Sequence, residues 1–175
     1  MATRLKQGFY NRKTLIVAKE LVGKYLVRNI DGKRISAVIT ETEAYIGETD
    51  LASHARFGQT KRNVVMYGAP GVWYVYLIYG MHWLLNVITE EEGKPAAVLI
   101  RCAFSEQGDK LNGPGKLTKY FKIDKSFYGQ SALKGDLYIE DRGFRPKKIK
   151  SMPRVGIDYA GEYKEKPWRF VIQDE

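Results

Sequence analysis

Four acidic residues, Glu41, Glu43, Glu48 and Asp50, lie close together in a chain that is otherwise cationic. Carboxylates at such a spot can take a proton from water, stabilise a developing positive charge, or hold a divalent ion through oxygen. Glu41 and Glu43 stand two apart in the extended run from Arg34 to Tyr45, so a strand there sends both side chains to one face. That face is either a solvated surface or a site. His54, one of two histidines, follows the cluster. A lone histidine is more often a structural hydrogen-bonder than a catalyst. Glu41, Glu43, Asp50 and His54 also form an oxygen-and-imidazole set, but they match no known ligand spacing. The expectation is therefore no metal and no cofactor.

Tyr45 and the aromatic run Val72 to Tyr79 come next. Alternation sends Tyr74 and Tyr76 to one face and Trp73 and Tyr79 to the other. Core packing accounts for most aromatics, but Tyr79 abuts a turn, where burial is difficult. A large side chain at a hairpin tip is a candidate wedge between stacked bases. Arg56, Lys61, Arg62, Arg101, Lys116, Lys119 and Lys125 could hold phosphates, helped by a helix N-terminus near Lys116. A solvated face explains those charges equally well.

The elements that must carry these groups read as α+β, a largely antiparallel sheet with short helices. Lys13 to Val22 has helical apolar spacing, with Gly23 as its stop. Tyr25-Leu26-Val27 and the Arg34 to Tyr45 run form a hairpin through Asp31-Gly32. Gly47 to Gly71 reads as a long functional loop with weak helix over Lys61 to Met66. Val72 to Tyr79 and His82 to Thr89 form a second hairpin, with Gly80-Met81 as the central pair of its turn. Strands are expected at Ala96 to Ala103, Asp136 to Glu140, Arg154 to Asp158 and Arg169 to Ile172, and a helix over Lys116 to Lys122.

With 175 residues and 44% apolar content, the chain is long enough for one domain, 1–175, with a real core. Lys plus Arg number 29 against 20 Asp plus Glu, and the resulting +9 favours polyanionic partners without choosing among them. The single cysteine, Cys102, excludes a disulfide framework and a cysteine-based zinc site. No apolar stretch is long enough for a membrane span, and the polar, basic N-terminus does not read as a signal peptide. A reducing intracellular compartment is expected: the cytoplasm (nucleoid) of a prokaryote or the nucleus of a eukaryote.

In order along nearly the whole chain, the sequence resembles the alkyladenine (3-methyladenine) DNA glycosylase family. The matching stretches are Glu41-Thr42-Glu43-Ala44-Tyr45-Ile46-Gly47, Asp50 to His54, Gln59-Thr60 with Arg62-Asn63, and Tyr74 to Met81. They continue through Asn86, Val98 to Arg101, Gly113 to Leu117, Lys125 to Phe127, Arg154 to Ile157, Ala160 to Glu162 and Lys166 to Phe170. The resemblance implies a compact domain with a curved sheet, whose protruding β-hairpin enters the minor groove of damaged duplex DNA. It implies a monomeric, metal-independent, monofunctional enzyme of base excision repair. Such an enzyme flips alkylated or deaminated purines (3-methyladenine, 7-methylguanine, hypoxanthine and ethenoadenine) and leaves an abasic site.

By the same resemblance, Glu43 is the general base and Arg101 lines the catalytic side. Tyr45, His54 and Tyr76 wall the flipped base, and Asn86 disfavours guanine. Tyr79 fills the gap in the duplex, while Arg62, Lys116 and Lys125 contact phosphates. Arg56-Phe57-Gly58, His82-Trp83 and the loop Thr89 to Pro95 depart from the family pattern, which bears on lesion range. Two other readings of the residues stay open: a metal-dependent nuclease using the acidic cluster, and a non-catalytic nucleic-acid-binding module.

Overall fold

The Asp31-Gly32 turn forms as its residue types predict: both residues have positive φ, 49° and 75°, as a tight hairpin turn requires. The computed structural model describes residues 1–173; Asp174 and Glu175, the end of the expected 1–175 domain, lie outside the described residues. Ten strands are described: β1 (Thr3–Arg4), β2 (Tyr25–Ile30), β3 (Lys33–Ile46), β4 (Trp73–Ile78), β5 (His82–Ile88), β6 (Ala96–Ser105), β7 (Lys110–Asn112), β8 (Leu137–Asp141), β9 (Ile149–Met152) and β10 (Arg169–Ile172). The helices are α1 (Gln7–Tyr10), α2 (Thr14–Leu21) and α3 (Pro114–Tyr120), with short 3₁₀ turns at His54–Phe57, Val64–Tyr67, Lys125–Phe127 and Gly161–Glu165. Every pairing is antiparallel, and the sheet runs β1-β8-β2-β3-β6-β5-β4, with β10 on β3, β9 on β10 and β7 on β6. This is an α+β fold on an open sheet. Among the described residues no helix is long and apolar enough to cross a membrane.

One face of the sheet carries the main core. Val17, Ala18 and Leu21 of α2 and Leu117 of α3 pack there against Ala37, Ile39, Ala44, Trp73, Val75, Leu85, Val87, Val98 and Ile100. α3 lies close on β5: a Cβ on Gly115 would come within 3.1 Å of the His82 ring. Tyr74, Ile88 and Ala97 point to the opposite face, where they pack with Ala55 and Met66 under the loop that follows β3.

The central pair, β3 and β6, is irregular where the acidic residues lie. Ile39 pairs with Ala103, Glu41 with Cys102 and Thr42 with Ile100, so Thr40 is an extra residue on β3 and Arg101 an extra residue on β6. Each bulge resets side-chain alternation. Ala37 and Ile39 face the core before the bulge, and Ala44 faces it afterwards. Strict alternation would have continued Ala37 and Ile39 into Glu41, Glu43 and Tyr45 and pointed them into apolar interior. The bulge at Thr40 turns them to the opposite face instead.

Two expectations are corrected. The β4–β5 turn is centred on Tyr79-Gly80, not Gly80-Met81: their φ angles are 51° and 67°, and the Met81 amide donates to the Ile78 carbonyl at 3.1 Å. Arg154 to Asp158 is loop rather than strand. Gly156 there has φ 73°, and the Val155 amide donates to a side chain instead of a neighbouring strand.

Candidate active site

Glu43 lies near the C-terminal end of β3 with no exposed side-chain surface. Its Oε1 accepts the Val155 amide at 2.8 Å, and its Oε2 accepts the Tyr45 hydroxyl at 2.8 Å. The Arg101 Nε is 3.9 Å from Oε1. Burial raises the Glu43 pKa above the ordinary carboxylate value; the Val155 amide, the Arg101 charge and the Tyr45 hydroxyl oppose that rise, and Glu41 adds to it. Burial likewise raises the Tyr45 pKa, and the Glu43 charge raises it further, so its phenol stays protonated and able to donate. Each Glu43 oxygen has one bond from the protein and one lone pair over. A carboxylate with spare acceptor capacity can, in its ionised form, orient and deprotonate a water.

Glu41 occupies the same face through the bulge. Its Oε1 meets the Arg101 Nε at 2.9 Å and the Arg169 Nη1 at 3.0 Å, and its Oε2 accepts the Cys102 thiol at 3.2 Å. Burial, then Glu41, push the Cys102 pKa up to about 12, which keeps it a thiol.

A fully buried ion pair braces this arrangement. Arg154 contacts Asp50 at 2.6 and 2.8 Å and donates to the Ala44 carbonyl at 2.9 Å. Asp50 also accepts the Ile46 amide at 3.0 Å and the Ala52 amide at 3.0 Å. The Arg154 guanidinium lies 4.7 Å from the Tyr45 ring centroid and 4.9 Å from that of Trp168. A bidentate arginine–carboxylate fork is directional. This one ties the strand beside Glu43, the loop leading to His54 and the loop carrying Val155 into one unit.

Beside Glu43 is a pocket lined by Tyr45, Ala52, His54, Met66, Tyr74, Tyr76, Asn86 and Ala97. His54 and Tyr76 pack edge to face with ring centroids 4.4 Å apart, and His54 Nδ1 meets the Tyr74 hydroxyl at 2.8 Å. The cavity is only about 20 Å³, room for a water and nothing much larger. Burial, with Arg62 and Arg56 nearby, lowers the His54 pKa to about 4 and keeps the ring neutral. Asn86 is buried and donates to the Tyr74 carbonyl at 3.2 Å, which fixes its amide at the pocket wall.

The β4–β5 hairpin continues past the edge of β6, which pairs β5 at Asn86, Val87 and Ile88. At its tip Tyr79 is 88% exposed and left-handed, a conformation that tyrosine adopts only at a cost of about 1–2 kcal/mol. Arg62, Lys116 and Lys125 are exposed. Arg62 lies 5.6 Å from the Tyr76 ring centroid, and Lys116 borders the groove under Met81 and His82. Lys125 stands on a 3₁₀ turn that packs on β4.

The structure thus brings Tyr45, His54, Tyr76 and Asn86 together around one pocket, with Glu43 and Arg101 behind its Tyr45 wall and Arg62 near Tyr76; Tyr79, Lys116 and Lys125 lie outside it. Sequence reading missed the contribution of Tyr74, although alternation had put it on the Tyr76 face. It also missed the Asp50–Arg154 pair, whose members are far apart in the chain. The Val155 amide leaves no trace in residue type.

A buried carboxylate against an aromatic pocket, beside an exposed hairpin tip on a cationic chain, fits a hydrolase that acts on nucleic acid. Residues 8–175 match the model of the family described as methylpurine-DNA glycosylase (MPG). A protein of Desulfitobacterium hafniense (strain Y51) is 45% identical over 194 aligned positions, covering 98% of this chain and 96% of its own. One of Methanocella arvoryzae is 47% identical, covering 95% and 90%, and one of Legionella pneumophila (strain Lens) is 44% identical, covering 98% and 95%. All three bear the name 3-methyladenine DNA glycosylase. The chain belongs to the methylpurine-DNA glycosylase family, enzymes of base excision repair that hydrolyse the bond between a base and its deoxyribose.

Proposed function

We propose that this enzyme, acting as a monomer, turns a damaged purine out of duplex DNA into the pocket beside Glu43 and hydrolyses its glycosidic bond, leaving an abasic site. The observation that carries this reading is Glu43: buried, accepting the Val155 amide and the Tyr45 hydroxyl, and joined through Tyr45 to the wall of an aromatic pocket. Extrusion costs a few kcal/mol, less for a lesion that pairs poorly. Tyr79 occupies the vacated space, and Tyr45, Tyr76 and His54 part to stack on the base, each aromatic contact being worth about 1–3 kcal/mol.

As the bond between base nitrogen and C1′ breaks, its electron pair leaves with the base and the sugar becomes oxocarbenium-like. Glu43 stabilises that cation and takes the proton of the water that adds to C1′. The Arg101 charge opposes the rise that burial gives the Glu43 pKa and so favours the ionised carboxylate. Asn86 conflicts with the 2-amino group of guanine, and Arg62, Lys116 and Lys125 hold phosphates. The names of the relatives point to 3-methyladenine, and the same pocket accommodates hypoxanthine and ethenoadenine, which lack a 2-amino group, once its rings open; 7-methylguanine meets the same conflict at Asn86 and is released because its cationic ring is the better leaving group. An N-alkylated purine is already cationic and leaves without an acid.

The test is a duplex carrying one hypoxanthine or ethenoadenine, incubated with EDTA, with free base and strand integrity both followed. Free base with an unbroken strand is expected. Strand nicking that requires a divalent ion would point to a nuclease, and salt-sensitive binding without product would point to a binding module.

A further inference from the structure

We infer that Glu41 is a positioning residue, holding the Arg101 guanidinium off Glu43 so that both Glu43 oxygens keep a lone pair for water. This rests on the reading of Glu43 as the base. Arg101 is the extra residue of the β6 bulge, and its Nε lies 2.9 Å from Glu41 Oε1 but 3.9 Å from Glu43 Oε1. An approach of about 1 Å would turn the second contact into a charge-assisted hydrogen bond of the usual length.

Glu41 cannot swing away to allow this, because Arg169 and Cys102 tether it from the other side. Arg169 is in turn fixed to the Pro153 carbonyl at 2.7 Å. Arg101 therefore has two carboxylates within reach and is bound to the one that does no chemistry. Removing the Glu41 charge leaves Glu43 as the anion Arg101 can close upon. A closed pair would occupy a lone pair needed for water and make Glu43 a weaker base.

The groups facing Glu43 are Glu41 and Tyr45 of β3, Arg101 of β6, the Tyr76 hydroxyl of β4 and the Val155 amide. Arg154 stands behind Tyr45, and Arg169 of β10 reaches Glu41. In Glu41→Gln only one of these charges is lost while the side-chain shape is kept.

The experiment is a ¹³C NMR titration of the Glu43 carboxyl in protein labelled at glutamate Cδ, assigned by comparison with Glu43→Gln. Glu41→Gln should lower the Glu43 midpoint by about one pH unit. In an Arg101→Met background the same substitution should move it less than half as far. Single-turnover base release by Glu41→Gln should fall about tenfold with KM nearly unchanged, and its acid limb should move to lower pH. An unmoved or raised midpoint, or an equal drop in both backgrounds, overturns the inference. Should Glu41→Gln fail to fold, Glu41→Asp retracts the carboxylate and should lower the midpoint by a smaller amount; no movement there overturns it too. The titration is readable whether or not any base is released, so a failure of the glycosylase reading is seen separately in the wild-type assay.

Discussion

His54 offers a quantitative test of the pocket because its neutrality is a property of the folded state. In the unfolded chain its pKa is the ordinary 6.5; in the pocket, burial first, then Arg62 and Arg56, bring it down to about 4. Above pH 6.5 both states are neutral and the linkage contributes nothing further. As pH falls from there toward 4, the unfolded chain gains a proton that the native ring refuses, and stability is lost. At about 1.4 kcal/mol per pH unit, the loss amounts to about 3 kcal/mol by pH 4. His54→Asn cannot titrate and keeps a polar group for the Tyr74 hydroxyl. Urea unfolding of wild type and His54→Asn at intervals from pH 7.5 to 4.5 should show the wild type alone losing this increment. The difference between the two curves should build between pH 6.5 and 4.5. The His54 ring protons should titrate near 4 by NMR. Parallel stability curves, or a His54 midpoint at 6.5 or above, would refute the picture of a dry ring beside two arginines.

Glu43→Gln should abolish base release, by about 10²-fold or more in single turnover, yet raise stability at pH 7 by about 1–2 kcal/mol in thermal melts. The gain should fade in acid: with its native pKa raised, wild-type Glu43 loses stability only as pH climbs through that value. Tyr79→Gly relieves left-handed strain and should stabilise the fold by about 1 kcal/mol while weakening binding to a lesion duplex in fluorescence anisotropy; unchanged affinity would remove Tyr79 from the wedge role. Arg154→Met strands the buried Asp50 charge and should cost about 3–5 kcal/mol by urea denaturation.

Much of this fold was legible because its signals are local. Asp31-Gly32 turns a hairpin through residues that tolerate positive φ, and the aromatic density of Trp73 to Ile78 marks β4. That Glu41 and Glu43 share a face was visible for the same reason, since two positions apart on a strand is a neighbour relation, whereas the place of Tyr45 beside them came from the family resemblance. What stayed hidden depends on distant partners. Nothing around Arg154 announces that Asp50 will meet it, and the Val155 amide is defined only once that pair has placed its loop. The short strands β1, β7 and β9 carry too few residues to show a period; each forms because a longer strand offers an edge. The tip of β4–β5 was misplaced by one position, because Gly80 suits either central place in the turn and only the flanking register decides.

The extra residue at Thr40 has a consequence for how this chain can vary. Upstream of it β3 serves the interior with its odd-numbered positions; downstream those same positions serve the candidate site on the opposite face. A single codon lost there would therefore do more than shorten a strand. It would turn Glu41, Glu43 and Tyr45 inward and Thr42 and Ala44 outward together, dismantling the candidate site while leaving every one of its residues in the gene. The spacing between Ile39 and Glu43 is as much a part of the machinery as the carboxylate itself.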